Sequence, residues 1–366
     1  MLSVPYLNLA KETSFLKEKL LAAVGDVLDS GMYILGQQVA QFEKEFARYC
    51  GTEFSVGMDN GTTALLLAMR TLNLKPTDEV ITAPNSFIAS ASSIALAGAT
   101  PVFADILPDL NIDPKKIEAA ITPRTRAIMP VHLTGRPARM KEILEIARKH
   151  KLFVLEDAAQ AAGAKLDGKR VGSFGDASAF SLHPMKNLHA FGDGGMLTLN
   201  NLSLYETMLQ ARNHGLKNRN ECDYWSYNCR LDEIQAAMLR IQLTHLDEQT
   251  EKRRQLAFRY NDELKSFATV PTEGPGEFCV YQTYVIQVEK RDALLKHLND
   301  QGVEARIHYP IPLHLQPAAK NLGYAKGDFP VAENASSRIM SLPLYPTLTM
   351  EQQDRVIHLI KGFYAG

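Results

Sequence analysis

The chain is poor in the features that mark several broad protein classes. It has four cysteines, Cys50, Cys222, Cys229 and Cys279, with no CxxC pair and no metal-ligand spacing. A disulfide framework or a cysteine-built metal centre is therefore not expected, and a reducing cytoplasm fits. No apolar run reaches the 18 or so residues of a membrane span. The start, MLSVPYLNLAKETSF, lacks a basic segment followed by an apolar one, so no signal peptide is expected. The formal net charge is −1 with no long run of one sign, which argues against a nucleic-acid or membrane surface. Neither an internal repeat nor a low-complexity tract is visible. What remains is a chain of 366 residues with ordinary apolar and charged content. That length exceeds the size at which one core usually keeps growing, so a large and a smaller unit are expected.

Residues 1–12 read as an extended arm. From 13 to 30, Leu16, Leu20, Val24 and Leu28 recur every four residues and mark one apolar helix face. SGMYILGQQ interrupts at Gly31 and Gly36, and a second helix follows from Val39 to Tyr49. A strand–helix alternation then begins, with strands at Phe54 to Met58, Glu79 to Ala83, Val102 to Ala104, Ala127 to Val131 and Leu152 to Glu156. This rhythm predicts an α/β fold with a mostly parallel sheet covered on both faces. Ligands of such sheets collect at the carboxyl ends of the strands. Residues 230–267 read as a long helical region. PTEGPGEF, rich in Pro and Gly, marks the boundary between units at 1–270 and 271–366. Beyond it a strand is expected at Val280 to Val288, a helix at 290–301 and a closing helix at Met350 to Tyr364.

Lys186 is the most informative residue. It lies in SLHPMKNLHAFGDGG, after the apolar run Ala177 to Phe180, and Asp157 ends the apolar strand before that. A strand-end carboxylate with a later lysine among small and polar residues suits pyridoxal phosphate. The lysine joins the aldehyde and the carboxylate pairs with the pyridinium nitrogen. Lysine shifts its pKa readily on burial, as an amine that must lose its proton requires. Most lysines, however, are solvated surface groups. The phosphate needs backbone N–H groups and hydroxyls at a helix N-terminus. Gly61, Thr62 and Thr63 offer these, although threonine is equally a plain helix cap. Ser181 can supply another hydroxyl. Phe87 lies just past a strand end and can stack on the ring, or belong to the core. Gln160 follows Asp157 by three residues and can reach the ring hydroxyl, or face solvent. Glu156 should point to the opposite side of its strand from Asp157.

These residues and their order resemble the DegT/StrS nucleotide-sugar aminotransferases, pyridoxal phosphate enzymes of the aspartate-aminotransferase fold. The segments that carry the likeness are GMYILGQQVAQFEKEFARYCG, NGTTALLLAMRTL, PNSFIASASSI, PVHLTGRPARM, EDAAQAAGA, SLHPMKNL, GDGG, NCRLDEIQAA, HYPIPLHLQP and SLPLYPTLTMEQQDRV. The resemblance implies a large domain with a seven-stranded, mostly parallel sheet and a smaller α+β C-terminal domain. It places Lys186 on the Schiff-base lysine, Asp157 on the pyridinium partner and Gln160 at the ring hydroxyl. Gly61, Thr62, Thr63 and Ser181 fall on the phosphate cradle and Phe87 on the stacked aromatic. Asn228 falls on a residue that reaches the cofactor phosphate of the neighbouring subunit, which implies a homodimer with shared active sites. Tyr33, His183, Arg230, Tyr309 and His314 fall near the substrate groove. The implied reaction moves an amino group from an amino acid, by family habit L-glutamate, to a keto sugar carried on a nucleotide. The cofactor would cycle through pyridoxamine phosphate. NCRLDEIQAA is more similar to versions associated with C3 than with C4. Relatives with histidine at the lysine position are dehydratases; a non-catalytic regulator is the other alternative, and it would be expected to lack Lys186 or Asp157, both of which are here. Two departures stand out: His189 replaces a more usual glycine and is expected to narrow the site, and His214 to Asn228 differs from the commoner glycine-containing stretch.

Overall fold

A computed structural model describes residues 3–365 of the chain. Among the described residues twelve strands form three sheets. The main one contains β1 (Phe54–Met58), β2 (Glu79–Thr82), β3 (Thr100–Phe103), β4 (Thr125–Met129) and β5 (Phe153–Asp157). Short β6 (Lys165–Leu166) and β7 (Lys169–Arg170) lead to β8 (Ala177–Ser181) and β9 (Gly195–Leu199), which return to it. The spatial order is β1-β9-β8-β5-β4-β2-β3. Six strands run one way and β9 alone runs against both its neighbours. The α/β class and seven-stranded sheet expected from the sequence are thus present.

Both faces of this sheet are apolar, and alternate residues of each strand enter different clusters. Val80, Ala127, Met129, Leu155 and Leu197 pack on one side with helix Gly61–Arg70. Ile81, Ile128 and Val154 face the other, with helix Met140–His150, while Phe180 and Met196 on that side meet helix Gln37–Cys50. Two of these helices stop at glycine or lysine in the left-handed conformation, Gly51 and Lys151.

The remaining strands are β10 (Glu277–Phe278), β11 (Tyr284–Gln287) and β12 (Ile339–Leu342). The β11–β12 pair packs with helices Arg291–Asp300 and Met350–Ala365 around Tyr260, Tyr284 and Tyr345. Val4 and helical residues Leu256 to Leu264 belong to the same cluster. A cut between 270 and 271 would part them from it. Among the described residues no helix is long and apolar enough to cross a membrane.

Several expected elements differ in detail. β9 was not expected. The arm turns helical at Leu9. The long helical region breaks into Glu233–Leu243 and Leu246–Leu264, where the Thr244 hydroxyl donates to the Ile241 carbonyl (2.7 Å). The strand expected from Val280 begins only at Tyr284. Tyr281 takes a left-handed φ of 45°, and Val280 donates its N–H to the Gly135 carbonyl instead (2.9 Å).

Candidate functional site

The six co-directional strands place their carboxyl ends on one edge, and the expected residues gather there. Asp157 ends β5 and is buried. Its Oδ2 accepts a hydrogen bond from the Ser90 hydroxyl (2.6 Å) and its Oδ1 one from the Ala159 N–H (3.2 Å). Burial raises its pKa, and the Ser90 bond is the largest opposing influence. Glu156 points the other way, as the alternation of a strand requires. It accepts from the N–H groups of Gly172, Phe174 and Gly175, from Ser178 and from His132.

Lys186 sits on the loop that joins β8 to β9. Loss of hydration lowers its pKa from 10.5 to about 8, while the Asp157 charge pulls it back up. The loop is pinned on several sides. Lys186 donates its N–H to the His183 carbonyl (2.8 Å), and Asn187 and Gln282 link the loop to the 280–282 segment (both 3.1 Å). The Lys186 amine itself has no hydrogen-bond partner among the described residues. It is a fixed loop presenting one free, easily deprotonated nitrogen.

The neighbouring helix N-terminus forms a cradle. Asn60 caps helix Gly61–Arg70 by accepting the Thr63 N–H (2.9 Å), and the Thr63 hydroxyl donates to Asp59. The N–H groups of Gly61 and Thr62 are left without partners among the described residues. A side chain at Gly61 would lie 2.9 Å from the Ser181 Cβ. One at Gly195 would come within 2.4 Å of the Asn60 carbonyl. Glycine at both positions lets helix start, Ser181 and the β9 turn close on one small space. Unpaired N–H groups at a helix start favour an anion there.

Phe87 is 52% exposed and its ring centroid lies 5.5 Å from that of Tyr309. Gln160 accepts the Thr134 N–H (2.6 Å) and donates weakly to the Tyr309 hydroxyl (3.4 Å). Phe87, Tyr309 and Gln160 therefore form one wall. Aldehyde capture, ring pairing and phosphate holding each have a candidate group here, so the residues fit pyridoxal phosphate.

Other expected residues lie elsewhere. Exposed Asn228 bridges to Asn213, whose side chain accepts from Arg230 (3.0 Å). Tyr33 is exposed and its carbonyl accepts the Glu233 N–H (3.1 Å). These three form a surface group around residues 213–233, next to the cradle through a bond from the Asp59 N–H to the Cys229 carbonyl (3.3 Å). His183 is exposed and its ring accepts the Met185 N–H (3.2 Å), so it shapes the loop. His314 lines no open groove in this chain. Its side chain is wholly buried, bonded to Glu333 (3.0 Å) and packed edge-on against Phe329. His189 does not narrow the wall that bears Phe87. Its ring lies behind the loop, 3.2 Å from the Lys186 carbonyl, on the side of Gln242, His245 and Arg253.

Ser90, Thr134 and His308 were not expected. His308 bonds to Ser341 (2.9 Å), and burial with the nearby Arg306 and Lys186 charges lowers its pKa to about 4. It stands neutral beside the lysine. Ser90 had a readable signal: Ser86 and Ser90 lie one helical turn apart around Phe87.

Comparison with known proteins gives the family. The profile of the DegT/DnrJ/EryC1/StrS aminotransferase family matches residues 15–361. The dTDP-3-amino-3,4,6-trideoxy-alpha-D-glucose transaminase of Streptomyces venezuelae is 41% identical, over 98% of this chain and 95% of its own. A protein named pleiotropic regulatory protein, from Geobacillus stearothermophilus, is 43% identical over 99% of both chains. The structure of S. venezuelae DesV in complex with a ketimine intermediate superposes with a TM-score of 0.97 at 40% identity, over 99% of both chains. NtdA from Bacillus subtilis with bound cofactor PMP gives 0.93 at 33%, over 100% of this chain and 86% of its own. With a family profile over nearly its whole length, the chain belongs to the DegT/DnrJ/EryC1/StrS aminotransferase family.

Proposed function

We propose that the protein transfers an amino group from an amino acid, with L-glutamate as donor, to a nucleotide-linked keto sugar, C3 favoured over C4. The observation that carries the reading is the free amine of Lys186, its pKa lowered to about 8, beside buried Asp157. When bound, pyridoxal phosphate supplies an electron sink and carries the amino group between the two substrates. In this reading Asp157, as a carboxylate, would accept the ring nitrogen's N–H and keep that nitrogen protonated. Gly61, Thr62, Thr63 and Ser181 hold the phosphate, Phe87 covers the ring face and Gln160 orients the ring hydroxyl. Lys186 would hold the cofactor through its aldehyde and, when released, would serve as general base and acid. Neutral His308 adds no second positive charge near that amine.

We also infer a homodimer in which Asn228 enters the partner's cradle. Its exposure, and the 92% exposed Trp225 on the same loop, support the idea that this surface meets another chain. The C3 preference rests on NCRLDEIQAA and on relatives such as the S. venezuelae 3-amino-sugar enzyme. The name of the Geobacillus relative suggests a regulator as the second reading.

One experiment separates the readings. Purified protein loaded with pyridoxal phosphate should show the visible absorbance of a lysine-linked cofactor, and glutamate should bleach it. Turnover of the glutamate-treated form is then measured on a panel of 3-keto and 4-keto nucleotide sugars. A stable band with no turnover of any sugar would favour the regulator. Turnover confined to 4-keto sugars would overturn the C3 assignment.

A further inference from the structure

Asp157 has few hydrogen-bond donors for a buried carboxylate. Among the described residues only the Ser90 hydroxyl and the more distant Ala159 amide reach it. Ser90 is fully buried, and its Oγ lies 2.8 Å from that of Ser86, itself 3% exposed. An ionised carboxylate only accepts hydrogen bonds, so Ser90 must donate to Asp157. A hydroxyl has one hydrogen, so Ser86 must then donate to Ser90. The direction of the whole chain is set by the charge on Asp157. If Asp157 took up a proton on Oδ2, it would become the donor, and Ser90 would have to turn its own hydrogen away from the carboxyl, out of reach of water.

We propose that Ser86 and Ser90 form a hydroxyl relay that decides which group holds the shared proton, Asp157 or the ring nitrogen of the bound cofactor. The proposal rests on the reading of Asp157 as the ring's partner. The relay stabilises the carboxylate as a carboxylate, and so leaves the proton on the ring, where it is needed for the electron sink. The same short segment that offers Phe87 to the ring face thus controls the charge at its nitrogen. Ser90 acts through Asp157 and is a positioning residue.

The test is to bind pyridoxal phosphate labelled with ¹⁵N at the ring and read its chemical shift, which separates protonated from neutral pyridine. Ser90→Ala should move the signal toward neutral pyridine and lower kcat about tenfold, equal to about 1.4 kcal/mol, with KM little changed. Ser90→Cys keeps the volume and only a weak donor, so its signal should fall between. Ser86→Ala should shift it in the same direction by less. Asp157→Asn is the reference. If Asp157→Asn moves the signal while both Ser90 variants leave it at the wild-type position, the relay is refuted and the Asp157 assignment stands. If Asp157→Asn itself leaves it unmoved, both fail. Should Ser90→Ala not fold, Ser90→Cys decides alone: an unmoved signal refutes the relay.

Discussion

Lys186 should make the cofactor-free protein less stable than it need be, and the size of that cost can be worked out. Its pKa is lowered from 10.5 to about 8 by loss of hydration. The folded state therefore disfavours the ammonium, while the unfolded chain does not. Below pH 8 both states are protonated and the fold bears the full cost. Above 10.5 both are neutral and the cost is gone, so it fades as pH rises between the two values. The gap corresponds to about 3 kcal/mol, an upper bound because solvent reaches the half-buried side chain. Lys186→Met keeps the length and removes the charge. Cofactor-free Lys186→Met should melt several degrees above wild type at pH 7, since 1 kcal/mol is about 2–4 °C in a large domain. At pH 10 to 10.5 the two should converge. Thermal unfolding of both proteins, stripped of cofactor, at the two pH values decides it. No gain at pH 7, or an equal gain at both, would refute the reasoning.

Three further outcomes follow from the same geometry. The rate at which the cofactor-free protein captures pyridoxal phosphate should rise with pH and level off above about 8, and Asp157→Asn, which removes the charge that raises the lysine's pKa, should move the midpoint lower; stopped-flow absorbance reads it, and a midpoint that moves up contradicts the pairing. Glu156→Gln should cost about 1–3 kcal/mol at pH 7, because an amide cannot accept the donors that now meet both carboxylate oxygens. Its folded pKa is lowered, chiefly by His132 against the cost of burial, so the stability it gives is present above 4.5 and lost as pH falls through the lower folded value. Urea unfolding should therefore show the mutant and wild type approaching each other in acid, and a constant gap would sink the assignment. Mixing inactive Lys186→Ala with inactive Asn228→Asp should restore up to half the activity per mixed dimer, since one site keeps both native residues; no recovery in proven heterodimers argues against sharing.

The residues expected at the site divide by how local their setting is. Asp157 and Ser181 end strands, and Phe87 and the Gly61–Thr63 turn lie just past strand ends; a strand end is visible as an apolar run that stops. Lys186 was legible from its neighbours in the chain. β9 was not, because Gly195 to Leu199 is short and follows directly on a glycine-rich turn, with nothing local to say that it inserts beside β1. The bond from His314 to Glu333 was not legible either, because the two lie on different elements. Thr134 and His308 reach the site only through tertiary packing, which leaves no periodic trace. The break at Thr244 depends on one hydroxyl bond that composition does not reveal.

The placement of β9 also sets when the site can exist during synthesis. Phe54 pairs with Leu199 and Met58 with Gly195, so β1 finds its only sheet neighbour long after it has been made. Until then its apolar faces have no strand beside them, and Asn60 has no turn at Gly195 to close against. Non-local pairing of this kind is slow, since chain closure comes before its reward. The early strands must wait as an unfinished edge, the condition in which nascent chains most need chaperones. The turn at Asn60 and Gly61, shared between the earliest strand end and the last strand of the sheet, is thus complete only after β9 has emerged.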